Sequence, residues 1–259
     1  MCIRDRNIAL KACRSAAEII NNIYKSKNQA DLRSYDHLAQ LLYIHMIESI
    51  GESYPFNEND SLGPTNIDIT EVKKKVSNIE YSPNVNDGTG YVWVINPLDC
   101  YENFVNKIPL FNITICIFLN GVIHASLIYN PVEDQLVTAV KGEGAVYENK
   151  KIRNTNIKNE KILYVINDNK IKLNLEHMLD GNQRFFGSKS LELIYMAEGK
   201  LDLLIYPKIE IWDYAAGLLI CRESGVLVTG INGENDISKC NSLLAARELI
   251  HKKVLSKIG

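Results

Sequence analysis

The 259-residue sequence lacks several features that would assign it to a large class of protein. It has no block of lysine and arginine, and its formal net charge is −2, so the electrostatic footprint of a nucleic-acid-binding protein is missing. No apolar run reaches the roughly 18 residues of a membrane-spanning helix, and the N-terminus has no hydrophobic signal segment. We therefore expect a cytoplasmic protein with no direct nucleic-acid partner and no membrane partner.

Cysteine and histidine patterns typical of zinc sites are also absent. The six cysteines form no CxxC pair, and most lie among apolar residues, which is typical of free buried thiols. His37 and His45 are placed to share a helix face, but no cysteine or third histidine accompanies them. Cys100 differs, because it follows Asp99 at the start of a predicted helix, where a thiol can be activated; no histidine is placed beside it.

The order of the predicted elements indicates sheets covered by helices. Helices are predicted over 7–26, 36–51, 171–179, 188–198, 213–224 and 243–258. Strands are predicted over 91–95, 111–119, 122–130, 134–140, 162–166, 202–206 and 226–229, with a short strand and a loop in 52–70. Hairpins are predicted at Asn120-Gly121 and within 141–152. The pattern divides the chain into an N-terminal half, 7–154, with two helices and an antiparallel sheet, and a C-terminal half, 155–259, with a sheet and packed helices.

Two segments place polar residues directly beside buried elements. In "VWVINPLDCYENFV", residues 92–105, an apolar strand is predicted to stop at Pro97, and Asp99 lies at the mouth of the next helix. In "WDYAAG", residues 212–217, Asp213 lies at a predicted helix start. Taken alone, each aspartate is more typical of a helix N-terminal cap or a partner of the helix dipole than of a metal ligand.

Together these segments resemble the inositol monophosphatase family, which carries W-[IV]-[IV]-D-P-[LI]-D-G-T-x-N-F and W-D-x-A-A-G at these places. The likeness covers about residues 7–259 and includes "GSKSLELIYMAEGKLDLLI" between the two motifs. It implies an α/β (α+β) fold, the inositol-monophosphatase-like layered αβαβα sandwich, usually a homodimer. It also implies hydrolysis of phosphate monoesters, such as inositol phosphates and related sugar phosphates, with Mg²⁺.

The resemblance implies a role for individual residues. Mg²⁺ prefers hard oxygen ligands, and two such ions clamp the attacking and leaving oxygens. By position, the residues matching the family's metal ligands are Glu58, Asn96, the Leu98 carbonyl, Asp99 and Asp213. Those matching catalytic positions at the attacking water are Asp36 and Tyr101, those matching the phosphate site are Cys100 and Tyr101, and those matching substrate contacts are Ser188, Lys189 and Tyr206.

Several of these positions depart from the family pattern. Asn96 replaces the bridging aspartate, and a neutral amide with one oxygen cannot bridge two cations. Two divalent ions about 4 Å apart repel by roughly 16 kcal/mol at an effective dielectric constant near 20, which a bridging carboxylate offsets. Cys100 and Tyr101 replace Gly-Thr, adding a side chain where phosphate approaches the backbone and moving the hydroxyl outward. Tyr206 replaces a glutamate that many members use toward the substrate.

Lys189 replaces a small residue of the family's pocket. One interpretation is an ordinary surface lysine. The other is that its ammonium partly replaces a missing cation among Glu58, Asp99 and Asp213.

The departures favour a pseudoenzyme that binds a regulatory protein or a small phosphorylated molecule. They also favour Mg²⁺ binding that is weak, limited to a single site, or absent. The alternative is an active, divergent Mg²⁺-dependent phosphomonoesterase with an altered substrate.

Overall fold

Two β-sheets and three layers of helices stack in the order helix, sheet, helix, sheet, helix. The computed structural model describes residues 3–26, 35–52, 61–62, 90–154, 161–237 and 240–258. Within these ranges the helices are α1 (Ile3–Lys25), α2 (Tyr35–Gly51), α3 (Tyr101–Val105), α4 (Asn169–Leu175), α5 (Lys189–Ala197), α6 (Ile211–Glu223) and α7 (Glu248–Ile258). This layering confirms the predicted sandwich; the division into halves at 7–154 and 155–259 stays a prediction.

The first sheet contains seven strands paired in chain order. They are β1 (Ser61–Leu62), β2 (Tyr91–Asp99), β3 (Asn112–Leu119), β4 (Val122–Asn130), β5 (Gln135–Val140), β6 (Gly144–Tyr147) and β7 (Lys150–Ile152). β1 runs parallel to β2, and the other neighbours are antiparallel. Side chains alternate between faces, so Val92 and Val94 pack with α5 and α6 while Trp93 and Ile95 pack with α1 and α2.

Both predicted hairpins are confirmed. Asn120 and Gly121 join β3 to β4 with φ values of 52° and 73°. Glu148 and Asn149 join β6 to β7 with φ values of 44° and 66°. Two left-handed residues in a two-residue loop match the right-handed twist of the flanking strands.

The second sheet contains the strands β8 (Ile162–Ile166), β9 (Gly181–Gln183), β10 (Leu203–Tyr206), β11 (Leu227–Thr229) and β12 (Leu243–Ala246). Their order across the sheet is β11-β12-β10-β8-β9. α5 and α6 lie between the two sheets, and α4 and α7 cover the outer face of the second.

The predicted helix over 243–258 is wrong in its first part. Leu243–Ala246 forms β12, paired antiparallel with both β10 and β11, and α7 begins only at Glu248. The run Leu-Leu-Ala-Ala favours a helix by propensity. Burial on both faces of a central strand overrides that preference. The sequence pattern could not show this, because so short an apolar run fits a buried helix and a buried strand equally well.

Pro97 does not end β2, contrary to the prediction. The strand continues to Asp99 through a bulge, because Asn96 pairs with Thr114 and Asp99 pairs with Asn112. A bulge tolerates proline, which has no N–H to donate. Residues three apart on a regular strand point to opposite faces, so the extra residue is what brings Asn96 and Asp99 to the same face of the sheet.

His251 provides a test of the packing between α7 and the second sheet. Its ring is buried, Nε2 lies 2.9 Å from Thr229 Oγ1, and burial lowers its pKa below 6.5. The unfolded chain therefore binds a proton at higher pH than the folded chain does, so stability should fall as pH drops below about 6.5. Urea unfolding between pH 5 and 8 should show this loss in the wild type and a smaller one in His251→Gln.

The control for that measurement is His177→Gln, which changes an exposed histidine. An equal pH dependence in the wild type and in His251→Gln would show that this ring does not titrate with folding.

Candidate functional site

The residues of the two motifs converge where β2 ends against the first turns of α5 and α6. Asn96 Nδ2 lies 3.3 Å from Asp213 Oδ1, and Lys189 Nζ lies 2.5 Å from Asp213 Oδ2. Ser188 Oγ lies 2.7 Å from Asp99 Oδ2. These five residues come from three separate elements, and the structure places them in one buried polar cluster.

The Asp99 carboxylate is 4% exposed and is held by three hydrogen bonds to one oxygen. Ser188 Oγ, Ser190 N and Ser190 Oγ donate to Oδ2 at 2.7, 2.9 and 2.5 Å. The Asn112 amide donates to both serine hydroxyls, at 3.1 and 2.9 Å. Because Asn112 fills acceptor sites on the hydroxyls, each serine proton is directed at Asp99, which stabilises the carboxylate as an anion.

Ser188 has a second role as the N-terminal cap of α5. Its backbone is extended, with φ −91° and ψ 113°, and its hydroxyl accepts a hydrogen bond from Leu191 N. This is the usual capping arrangement for serine. One side chain therefore fixes both the start of α5 and the orientation of Asp99.

Asp213 lies between two nitrogen donors, one on each carboxylate oxygen. Asn96 turns its amide nitrogen toward Oδ1, while its own oxygen accepts from Leu98 N at 3.2 Å. This orientation is fixed chemically, because a carboxylate only accepts and a backbone N–H only donates. Lys189 occupies Oδ2.

The charges around Lys189 keep it protonated. Burial alone would lower the pKa of its ammonium, yet the surrounding carboxylates, Asp213 foremost, raise that pKa above the usual lysine value. Burial raises the pKa of Asp213, and Lys189 opposes the rise. The ion pair is only partly exposed, with 33% of the lysine side chain and 13% of the aspartate side chain accessible.

Glu192 belongs to the same cluster although no sequence motif indicates it. The side chain is 1% exposed, Oε1 accepts from Phe186 N at 2.8 Å, and Oε2 accepts from the Tyr206 hydroxyl. Burial raises the pKa of both Glu192 and Tyr206. A glutamate four residues after the Ser188 cap, within a helix otherwise apolar around it, is the signal that could have found it.

Tyr206, matched by the resemblance to a substrate contact, is 4% exposed and packs in the core between the two sheets. Its hydroxyl is directed at Glu192.

Cys100 and Tyr101 follow the end of β2. Cys100 has φ 75°, a left-handed conformation that favours glycine. Burial raises the pKa of its thiol to about 11, which contradicts an activated thiolate. The Tyr101 ring packs on the core beneath α1 and α2, 6.2 Å from Phe104 between ring centroids.

Gly187 packs directly on this turn. It has φ +85°, and a Cβ there would lie 2.9 Å from Cys100 Sγ.

The remaining predicted residues are placed only in part. Glu58 lies outside the described residues, and so does the side chain of Asp36, although α2 begins at Tyr35. The Leu98 side chain is buried in the core beneath α1 and α2.

The part of the donor set that the structure describes does not fit a pair of divalent cations. Among the side chains that the structure describes, no three of histidine, cysteine, aspartate and glutamate form a group that could hold a metal. Asn96 presents N–H rather than oxygen to Asp213, and Lys189 presents a positive charge where a cation would have to bind. Hard metal ions require oxygen ligands with free lone pairs.

The fold and the two motif sites define a protein of the phosphatase-like αβαβα class. The chain belongs to the inositol monophosphatase family, whose model matches residues 5–259. The Nus factor SuhB of Pasteurella multocida is 30% identical over 269 residues, covering 97% of this chain and 94% of that protein. An inositol-1-monophosphatase of Mesorhizobium japonicum is 32% identical over 183 residues, covering 64% and 66%. The family is generally Mg²⁺-dependent.

Solved structures agree with the assignment. The suhB protein of Bartonella henselae superposes with a TM-score of 0.77 at 26% identity, covering 97% of both chains. An inositol monophosphatase of Staphylococcus aureus superposes with a TM-score of 0.80 at 23% identity, covering 98% and 94%, and this second likeness shows the fold alone. In the part of this chain that the structure describes, no helix is both long and apolar enough to cross a bilayer.

The hydrogen bonds around Asp99 generate a stability prediction. Ser190→Ala removes one of three donors to a buried carboxylate, so we expect a loss of about 1–3 kcal/mol in the free energy of unfolding. The control is Ser256→Ala, whose exposed hydroxyl donates to the Lys253 carbonyl. Urea denaturation measures both, and equal losses would show that the network does not stabilise the fold.

Proposed function

We propose that this chain is a non-catalytic member of the inositol monophosphatase family and that it acts by binding a protein partner. The observation that carries the proposal is the contact of 2.5 Å between Lys189 Nζ and Asp213 Oδ2. It places a protein cation on a carboxylate that would have to ligate Mg²⁺ in the family's reaction.

The chemistry of the site supports a loss of hydrolysis. A two-metal phosphatase needs oxygen ligands that bridge and orient both ions. Here Asn96 lacks the second oxygen of a bridging carboxylate, and its amide nitrogen donates a hydrogen bond to Asp213. One Asp99 oxygen accepts three hydrogen bonds from Ser188 and Ser190. Any Mg²⁺ that does bind would be held weakly and at a single position.

The charge of the site supports a protein over a small phosphorylated molecule as the partner. The Lys189 ammonium contacts Asp213, and the carboxylates of Asp213, Asp99 and Glu192 each raise the pKa of Lys189. A phosphate group brought to this cluster would add negative charge to a partly buried acidic region, where electrostatic repulsion is poorly screened.

Relatives that match nearly the whole chain indicate the kind of partner. Those from Pasteurella multocida and Pseudomonas aeruginosa, each covering 97% of this chain, are named Nus factor SuhB. We therefore propose a role of the Nus-factor type. A homodimeric state and a cytoplasmic location are part of the same proposal.

A second candidate function is an active, divergent Mg²⁺-dependent phosphomonoesterase with an altered substrate. Two acidic motif residues, Asp99 and Asp213, are present and lie in one cluster, which favours it. The Mesorhizobium japonicum relative named inositol-1-monophosphatase favours it as well.

Phosphate release distinguishes the two candidates. Purified wild-type protein should release no phosphate above background from a panel of phosphomonoesters, inositol phosphates included, across a Mg²⁺ titration into the millimolar range. The Mesorhizobium japonicum inositol-1-monophosphatase, assayed alongside, is the positive control. Metal-dependent turnover that disappears in Asp213→Asn would refute the proposal of a non-catalytic protein and would establish phosphomonoesterase activity.

Gene replacement tests the binding role separately. In the host that carries this gene, deletion should reduce the output of a transcription reporter that depends on Nus factors. Reintroduction of the wild-type gene should restore the output. A reporter unaffected by the deletion would exclude the Nus-factor role, whatever the phosphate assay shows.

A further inference from the structure

Lys189 lies where a soluble cation would otherwise meet the acidic residues of the site. It is the first residue of α5, and its side chain reaches Asp213 on the first turn of α6. About two thirds of the side chain is removed from solvent, and the ammonium lies on the Asp213 carboxylate instead of extending into water. An ordinary surface lysine, the alternative left open by the sequence, would keep its charged end in solvent.

Lys189 and Asn96 act on the same carboxylate from two sides. Asn96 Nδ2 lies on Asp213 Oδ1 at 3.3 Å, and Lys189 Nζ lies on Oδ2 at 2.5 Å. Both oxygens therefore face N–H donors. A metal ion and an N–H donor compete for the same oxygen lone pairs, so this pairing opposes metal binding directly.

The charges of the two substitutions equal the charge of one divalent ion. The family pattern has an aspartate at the position of Asn96 and a small residue at the position of Lys189. Each change adds one positive charge relative to that pattern. Together they supply the two charges of one divalent cation, with the positive centre fixed covalently to α5.

We propose that the Lys189 ammonium is a resident cation that replaces a divalent metal ion in this site, and that Asn96 completes the replacement by removing the bridging charge. The proposal deepens the non-catalytic function and rests on it, because Asp213 already has a cation of the protein as its partner and does not need Mg²⁺ in that place. It predicts that the chain has lost metal dependence for folding and that two substitutions restore a divalent-cation site.

Metal binding is measured directly, without any enzymatic assay. The variants are Lys189→Ala, Asn96→Asp and the double variant. The thermal midpoint is followed with and without Mg²⁺ or Mn²⁺, and Tb³⁺ luminescence is excited through Trp212, the neighbour of Asp213. The matched control is Lys200→Ala, which removes a salt bridge of 2.8 Å to Glu198 just past the other end of α5.

The wild type and Lys200→Ala should show no metal-induced rise of Tm and no sensitised Tb³⁺ signal. The double variant should bind, with Tm raised by about 5–10 °C when the metal is at 100-fold excess over its Kd. Either single variant should show a smaller rise.

Two results would overturn the proposal. One is a wild-type protein whose Tm rises with Mg²⁺ as much as that of the double variant. The other is a folded double variant that binds no divalent ion. If Lys189→Ala does not fold, Lys189→Gln takes the place of that variant in the series, because glutamine keeps a hydrogen-bond donor without the charge.

The outcomes also separate this proposal from the proposed function. Absent phosphate release together with absent metal binding in the double variant would overturn only the role of Lys189. Metal-dependent phosphate release by the wild type would overturn both.

Discussion

The ion pair between Lys189 and Asp213 is the interaction on which the interpretation of this site depends. It joins the first turns of α5 and α6, the two helices packed between the sheets. A buried carboxylate at that junction needs a partner, since an uncompensated buried charge destabilises a fold strongly. A metal ion and a lysine can each meet that need, but only the lysine is always present. In this structure the lysine meets that need, within the architecture of the family.

The architecture around the pair is preserved by hydrogen bonds that do not depend on metal chemistry. The bulge at Pro97 brings Asp99 to the inner face of the first sheet, where Ser188 and Ser190 hold it. The left-handed Cys100 keeps a backbone turn in which glycine is usual. These features explain how a chain can match the family over residues 5–259 while an ion pair joins two residues of its site. Fold and function are separable because the scaffold is stabilised elsewhere.

Much of the fold could be predicted from local patterns. The Asn120-Gly121 hairpin and the apolar strand that begins at residue 91 are local signals, and the structure confirms both. The strand Leu243–Ala246 could not be predicted, because its apolar run suits a buried helix equally and only its place between β10 and β11 decides. The bulge at Pro97 and the buried Glu192 were missed because both depend on contacts with another element, β3 for the bulge and Tyr206 on β10 for Glu192.

The sequence by itself determined which residue types occupy the motif positions, and therefore the charge that the site carries. Asn96 and Lys189 can be recognised in the sequence as departures from the family motif, because a motif specifies the residue type at each position. Only the tertiary structure decided that both residues contact the Asp213 carboxylate. Asn96 is 117 residues from Asp213 in the chain, and Lys189 is 24 residues from it. Contact over such separations depends on how a strand end and two helix ends meet, and packing of the whole core fixes that geometry.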